Sequence, residues 1–215
     1  ANTAWYTTDN YAYRDIMEVD VATGEERMLL RDARIGDLVF NPADRALWGL
    51  RHLNGFVTLV RIPHPYTRWN QIVTFPFGRV PFDLDISPDG TLLSASVGEA
   101  SGEQSVQVFN IADLMGGNAT PLQTFSLGTS TPEGFVFSPD GRYLYGSAYY
   151  TGVSNIFRFD LETEAVEAMS NSATGFFRPI PQADGTLIVY EFTGDGFRPA
   201  VIQPQVLDSL GTVQF

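Results

Sequence analysis

The chain has 215 residues and no cysteine, so it can bury one sizeable core without disulfides, and neither thiolate chemistry nor a cysteine metal site is available to it. Its 25 acidic residues outnumber 13 basic ones, and the formal net charge of −12 disfavours a nucleic-acid backbone or an anionic membrane surface as partner. All basic residues are arginines, which excludes a Schiff-base lysine and a P-loop lysine. The longest apolar stretches are strand-sized, so no membrane insertion is predicted.

Strand signals recur along the whole chain as short apolar and β-branched runs bounded by Gly, Pro, Asn and Asp. We predict one domain, 1–215, built from five repeats that cover about 1–36, 37–81, 82–133, 134–176 and 177–211. The predicted strands are 4–8, 15–21 and 27–30 in the first repeat; 37–40, 46–50, 56–62 and 71–75 in the second; 82–86, 92–97, 106–111 and 122–125 in the third; 134–137, 143–149, 155–161 and 166–169 in the fourth; and 187–192, 197–202 and 206–207, after a first strand near 177, in the fifth. No helical period of ten residues occurs, and residues 112–115 form at most one helical turn, so the predicted class is all-β.

A turn motif marks four of the five repeats, all but the first. Residues 87–90 and 138–141 are both Ser-Pro-Asp-Gly, and 41–44 and 182–185 are degenerate copies, so that the four turn aspartates are 45, 51 and 44 residues apart. Proline presets φ, aspartate bonds the backbone two residues on, and glycine accepts positive φ, which together make a tight turn between two strands. A period in this range, with short strands between the turns, is typical of a β-propeller blade.

The two ends of the chain complement each other. Residues 212–215 resemble the strand that precedes each anchor turn, and the first repeat lacks that strand. The C-terminal strand therefore either pairs into the first blade and closes a propeller of about five four-stranded blades, or the chain is a fragment of a larger propeller. Closure would remove two open sheet edges that otherwise invite aggregation.

Residues 135–145 followed by 154–163, and the segment 16–24, resemble the repeat of TolB-like β-propellers. The resemblance extends over essentially the whole chain. It implies a bacterial envelope protein, periplasmic or at the cell surface, whose propeller is a platform for interactions. Similar repeats also build the non-catalytic propeller of prolyl-oligopeptidase-type hydrolases.

No catalytic motif stands out. The Gly-x-Ser-x-Gly elbow, the HExxH helix and the Gly-rich phosphate loop are all absent from the sequence. His52 and His64 are too few to form a metal cluster by themselves, and we predict packed or solvated roles for both. We therefore predict no catalytic residue, no metal and no cofactor.

The loops that follow the second strand of each repeat should gather at one face of the ring. They carry our candidate binding residues, which are Tyr11, Arg14, Arg51, His52, Glu99, Tyr149, Tyr150 and Glu191. Aromatic side chains beside arginines are favoured in protein interfaces. The leading hypothesis is therefore a non-enzymatic scaffold that binds a protein or a small ligand at this face.

Two alternatives remain open. The first is a five-bladed hydrolase or lyase, because glycan-cleaving enzymes use a pair of carboxylates on such a face. The other is an auxiliary propeller of a larger prolyl-oligopeptidase-type hydrolase.

Overall fold

The computed structural model of the protein describes residues 2–9, 14–128, 130–150 and 152–207. Tyr11 and the predicted closing strand 212–215 lie outside these residues. Five small antiparallel sheets follow one another along the chain and form a five-bladed β-propeller, which confirms the predicted all-β class.

Each blade is a hairpin meander whose strands pair in chain order. The first blade contains β1 (Thr3–Asp9), β2 (Arg14–Asp20) and β3 (Glu26–Leu30); the second contains β4 (Ile35–Phe40), β5 (Leu47–Leu53), β6 (Phe56–Ile62) and β7 (Asn70–Thr74). The third contains β8 (Val80–Ile86), β9 (Leu92–Gly98), β10 (Gln104–Asn110), the one-turn helix α1 (Ile111–Met115) and β11 (Gln123–Ser126). The fourth contains β12 (Pro132–Phe137), β13 (Tyr143–Ala148), β14 (Asn155–Asp160) and β15 (Val166–Ala168); the fifth contains β16 (Phe176–Pro181), β17 (Leu187–Thr193) and β18 (Gly196–Ile202).

The strands β4, β8, β12 and β16 are the inner strands, because each packs against the blade before it. β4 packs on β1 and β2, so β1 matches the second strand of the other blades, and the described part of the first blade has no inner strand. The loops that join second to third strands lie at one end of the propeller, here called the channel end. The anchor turns lie at the other, here called the turn end.

The anchor turns form as their residues predict. One carboxylate oxygen of each turn aspartate accepts a hydrogen bond from the backbone N–H two residues later, at 3.0 Å for Asp44, 3.0 Å for Asp89, 3.1 Å for Asp140 and 3.0 Å for Asp184. The Ser87 and Ser138 hydroxyls donate to the carboxylates of Asp89 and Asp140. These hydrogen bonds favour the ionised form, the serine hydroxyl most, and lower the pKa of both carboxyl groups.

The core lies between blades, where the inner strand of one blade covers the side chains of the previous one. At the junction of the third and fourth blades, the Phe159 ring lies parallel between Phe125 and Phe135 with 4.6 Å between centroids on each side. Within the ranges described above, no helix is long and apolar enough to cross a membrane.

One predicted strand was wrong. Residues 206–207 were assigned to the outer edge of the fifth blade, but Leu207 instead bridges Ala168 in β15, donating its N–H to the Ala168 carbonyl at 3.0 Å. The N–H of Gln205 bonds the Met169 carbonyl in the same way, at 3.3 Å. The segment therefore satisfies its backbone groups on the open edge of the fourth blade.

Candidate functional site

Each inner strand contains a β-bulge at the same place. The residue that begins the bulge has positive φ in all four, 48° for Asp37, 49° for Asp83, 58° for Gly134 and 47° for Arg178. This conformation is uncommon for residues other than glycine and costs about 1 kcal/mol or more, and such residues cluster at functional sites. The bulges therefore indicate a candidate site in the central channel, the space around the propeller axis that the inner strands line.

Five charged or titratable side chains converge there. Partial burial raises the pKa of Asp37, the Asp83 carboxylate raises it further, and His52, Arg14 and Arg178 lower it, so all four lie within electrostatic reach of Asp37. We call Arg14, Asp37, His52, Asp83 and Arg178 the axial cluster. Two arginines face two aspartates in it, so the cluster is close to neutral when the histidine is neutral.

Two glycines make room for the arginines. A Cβ on Gly36 would lie 2.6 Å from Nη1 of Arg14, and a Cβ on Gly134 would lie 3.2 Å from Cγ of Arg178. The N–H of Gly134 also donates to Oδ2 of Asp83 at 2.9 Å. The cluster is thus built by close approach of backbone and side chain, and a larger residue at Gly36 would displace Arg14.

A second carboxylate of β8, that of Asp85, lies two residues after Asp83 and is half-buried. Asp85 Oδ2 accepts a 2.7 Å hydrogen bond from the N–H of Phe137 on the next inner strand. Burial raises the pKa of Asp85 to about 6, although hydrogen bonds from the Phe137 and Ile86 N–H groups oppose the rise. Asp85 therefore changes charge near pH 6, and its hydrogen bond to Phe137 joins two blades.

Stability should reflect this titration. The folded protein holds a proton on Asp85 that the unfolded chain releases near pH 4, so the free energy of unfolding falls as pH rises from about 4 to 6, by at most about 3 kcal/mol. Asp85→Asn should abolish this fall and make the variant more stable than the wild type at pH 7, as measured by urea unfolding at pH 4, 5, 6 and 7. Asp89→Asn is the control, because the pKa of Asp89 is lowered and its contribution is lost only as pH falls below about 4. If Asp85→Asn unfolds with the same pH profile as the wild type, Asp85 is not the titrating group.

An aromatic group adjoins the axial cluster at the channel end. Phe177 lies 5.9 Å from Tyr149 and 5.1 Å from Phe197, and Phe197 lies 5.2 Å from Phe192 (ring centroids). With Tyr190, we call these residues the aromatic rim. Phe177, Tyr190 and Phe197 line a cleft of about 390 Å³ together with Glu133 and Arg178. Arg178 thus belongs to both the axial cluster and the wall of the aromatic cleft.

The structure brings some of the sequence-predicted residues to this site. Arg14 and His52 are in the axial cluster, and Tyr149 is in the aromatic rim. The others have different partners: Arg51 lies 5.0 Å from the Trp69 ring centroid, Glu99 is 3.4 Å from Nε of Arg79, the Tyr150 ring is 6.1 Å from that of Phe157, and Glu191 is 2.7 Å from Nη2 of Arg198. Tyr11 lies outside the described residues.

Sequence reasoning missed the four bulge positions. They lie seven, six, six and six residues before the turn aspartates, so the repeat alignment alone could have located them. Their residue types differ, however, and nothing in the sequence marks a bulge. Among the residues that the structure describes, no three His, Cys, Asp or Glu side chains are grouped as metal ligands.

Comparison with known proteins identifies the fold. No protein-family model matches the chain. The uncharacterized protein Atu1656 of Agrobacterium fabrum is 32% identical over 111 residues, which cover 49% of this chain and 37% of the relative. TolB from Acinetobacter baumannii superposes with a TM-score of 0.75 at 12% identity, over 96% of this chain and 52% of that one. A putative TolB from Agrobacterium tumefaciens gives 0.70 at 15% identity, over 94% and 76%.

The chain thus spans about half the length of the Acinetobacter TolB, and its match to Atu1656 covers about a third of that protein. Other propellers share the fold as well. An oligogalacturonate lyase in complex with manganese superposes with a TM-score of 0.63 at 15% identity, over 91% of this chain and 55% of that one. A prolyl endopeptidase gives 0.55 at 11% identity, over 88% and 31%.

Proposed function

We propose that this protein, whose fold is that of the TolB β-propellers, is a non-enzymatic scaffold that binds a polypeptide segment at the channel end. The main observation behind the proposal is that Arg178 belongs both to the charged axial cluster and to the wall of the aromatic cleft. The axial cluster offers both signs of charge, and the aromatic rim offers apolar surface next to it. A polypeptide is a partner that presents charged and apolar groups together within a few ångströms.

The exposure of the rim supports this assignment. Tyr149 is 55% exposed and Phe197 is 60% exposed, although aromatic rings are costly to leave in water. Contiguous exposed apolar side chains rimmed by polar groups are typical of interaction sites. Aromatic residues and arginine are also the residue types that contribute most to binding at protein interfaces. The aromatic rim therefore provides apolar contact area for the bound polypeptide, and the charged groups of the axial cluster fix the orientation of that polypeptide.

Peptide selection tests the proposal without a known partner. A library of random linear peptides displayed on phage is selected against the wild-type protein, and the affinities of enriched peptides are measured by isothermal titration calorimetry. Arg178→Glu should weaken binding at least tenfold, because it turns an attractive charge at the centre of the site into a repulsive one. Arg68→Glu, an exposed arginine in the loop between β6 and β7 at the turn end, should bind as the wild type does. Failure to enrich any peptide, or equal binding by wild type and Arg178→Glu, contradicts the proposal.

A glycan-cleaving activity is the second candidate, favoured by the fold likeness to oligogalacturonate lyase and by the Asp37 and Asp83 pair in the channel. Incubation with polygalacturonate, followed by assay for new reducing ends, tests it. Turnover that disappears in Asp83→Asn but persists in Asp195→Asn would replace the scaffold assignment. The role of an auxiliary propeller in a larger hydrolase is supported by the prolyl endopeptidase likeness alone.

We also propose a class of partner and a cellular compartment for this protein. The formal net charge of −12 supports a partner other than nucleic acid. The TolB-like repeat and fold support a location in the periplasm or at the cell surface.

A further inference from the structure

The first blade has an open sheet edge where the other blades have an inner strand. Each of β4, β8, β12 and β16 pairs antiparallel with the second strand of its own blade. In the first blade β1 stands at the second-strand position, and among the described residues it pairs only with β2. We call the place along the other edge of β1 the inner-strand position of the first blade.

Backbone groups of β1 point to this edge at every second residue. The N–H of Val21 donates to the Asn2 carbonyl at 2.6 Å, so Asn2 and Val21 form a hydrogen-bonded pair at the end of the ladder between β1 and β2. Hydrogen-bonded and non-hydrogen-bonded pairs alternate along an antiparallel ladder. Thr3, Trp5 and Thr7 therefore direct their N–H and C=O groups to the open edge, with which no described strand pairs. Such an edge is a template for an added strand.

The fifth blade exposes a sheet face that the other blades bury. We call the face of each blade that is turned toward the next blade its far face. Trp48 and Leu50 of β5 are on the far face of the second blade, and both are 0% exposed because the third blade packs on them. The strand pairings put Ile188 and Tyr190 of β17 at the matching positions of the fifth blade, where Tyr190 is 48% exposed. The far-face residues of β17 and β18 are all uncharged, namely Ile188, Tyr190, Phe192, Phe197, Pro199 and Val201.

This far face borders the inner-strand position of the first blade. Arg178 of β16 and Arg14 at the start of β2 both lie within electrostatic reach of Asp37, so the fifth and first blades meet the same part of the channel. Elsewhere in the ring an inner strand covers the far face of the blade before it, as Leu84 and Ile86 of β8 cover that of the second blade. A strand added to β1 therefore covers the far face of the fifth blade and continues the interface that joins the other blades.

The inner strands also show which side chains suit such a face. Three of them place two apolar side chains, separated by one residue, on the blade before: Leu38 and Phe40, Leu84 and Ile86, and Phe135 and Phe137. The aromatic cleft is part of the far face of the fifth blade, because Tyr190 and Phe197 line it. An extended polypeptide with alternate apolar residues matches both the open backbone edge and this apolar face.

We propose that the polypeptide bound at the channel end adds to β1 as an extended antiparallel strand in the inner-strand position of the first blade, with alternate apolar side chains on the far face of the fifth blade. This inference rests on the proposed function and specifies how the partner is bound. Backbone hydrogen bonds to β1 provide affinity, and the apolar face selects the side chains.

Amide hydrogen exchange measured by NMR on the full chain tests the inference. The probe is a synthetic peptide with the sequence of residues 130–138, which contains β12. In the free protein the amides of Trp5 and Thr7 should exchange rapidly, whereas that of Tyr6, which faces Met17 in the ladder, is protected. Saturating peptide should slow the exchange of Trp5 and Thr7 at least tenfold. Unchanged rates at saturation would overturn strand addition, and slow exchange already in the free protein would overturn it by assigning the position to another segment of this chain or to a second copy.

Two N-methylated forms of the peptide show whether one backbone edge is used. In β12 the N–H of Phe137 points away from its own blade and donates to Asp85, so the N–H of Val136 points to the second strand of that blade. Methylation of the nitrogen at Val136 should therefore weaken binding at least tenfold, and methylation at Phe137 should leave it nearly unchanged. Equal affinities of the two methylated peptides would contradict pairing with β1.

Tyr190→Ala tests the apolar face, and it should weaken binding of the probe at least tenfold. Phe77→Ala is the matched control, because Phe77 is 74% exposed in the loop between β7 and β8 and should not affect binding. Equal binding by the two variants would overturn the inference. If phage-selected peptides bind in an Arg178-dependent way but neither they nor the probe protect the Trp5 and Thr7 amides, strand addition is wrong and the proposed function stands. If no peptide binds at all, both are wrong.

Discussion

Phe159→Ala is expected to lower the free energy of unfolding by about 4 kcal/mol, as measured by urea denaturation with an unchanged m-value. Phe159 is 0% exposed, and its ring is the middle of a stack of three that joins the third blade to the fourth. Truncation removes both stacking contacts and leaves a cavity that two flanking rings cannot fill together.

Phe197→Ala is the matched control, because this phenylalanine is 60% exposed and should cost less than about 1 kcal/mol. A loss of less than about 1 kcal/mol for Phe159→Ala as well would mean that the blades are not held together by this stack.

Gly146→Ala is expected to cost about 3 kcal/mol through overpacking of the same junction. Gly146 lies in β13, and a Cβ there would be 2.3 Å from Cγ of Phe135, whose ring is stacked on Phe159. Phe135 is itself fully buried, so it has no space in which to turn away. Urea denaturation of the variant measures the loss.

Gly194→Ala provides the comparison, since a Cβ there meets no heavy atom within 4 Å and its φ is not positive. It should leave stability unchanged or raise it slightly. Equal stability of Gly146→Ala and Gly194→Ala would contradict the close packing of β12 on β13.

The blades could be predicted because their signals are local. Ser-Pro-Asp-Gly specifies a turn through the torsion angles and hydrogen bonds of its own residues, and Asp89 and Asp140 make the bonds expected of them. Repetition of that turn then places the strands on either side of it. The pairing of Leu207 with Ala168 had no such local signal, because it depends on which sheet edge is nearest in space.

The candidate site was predicted only in part, because some of its residues are positioned by backbone geometry that has no local sequence signal. Arg14 and His52 were found because the loops that carry them align across the repeats. Asp37 and Arg178 were missed because their role comes from a bulge in the backbone, and the residue at that position is aspartate in two blades, glycine in one and arginine in one. The space that Gly36 leaves for Arg14 exists only once two blades have packed together.

The binding face can be tested directly by mapping an enriched peptide onto the protein by NMR. Backbone amide signals are assigned and followed during titration of the wild type. We predict that the largest shifts fall on the inner-strand bulges at Asp37, Asp83, Gly134 and Arg178 and on the neighbouring aromatic rim. Shifts confined to the anchor turns around Asp89 and Asp140, at the opposite end of the propeller, would contradict the assignment of the channel end as the binding surface.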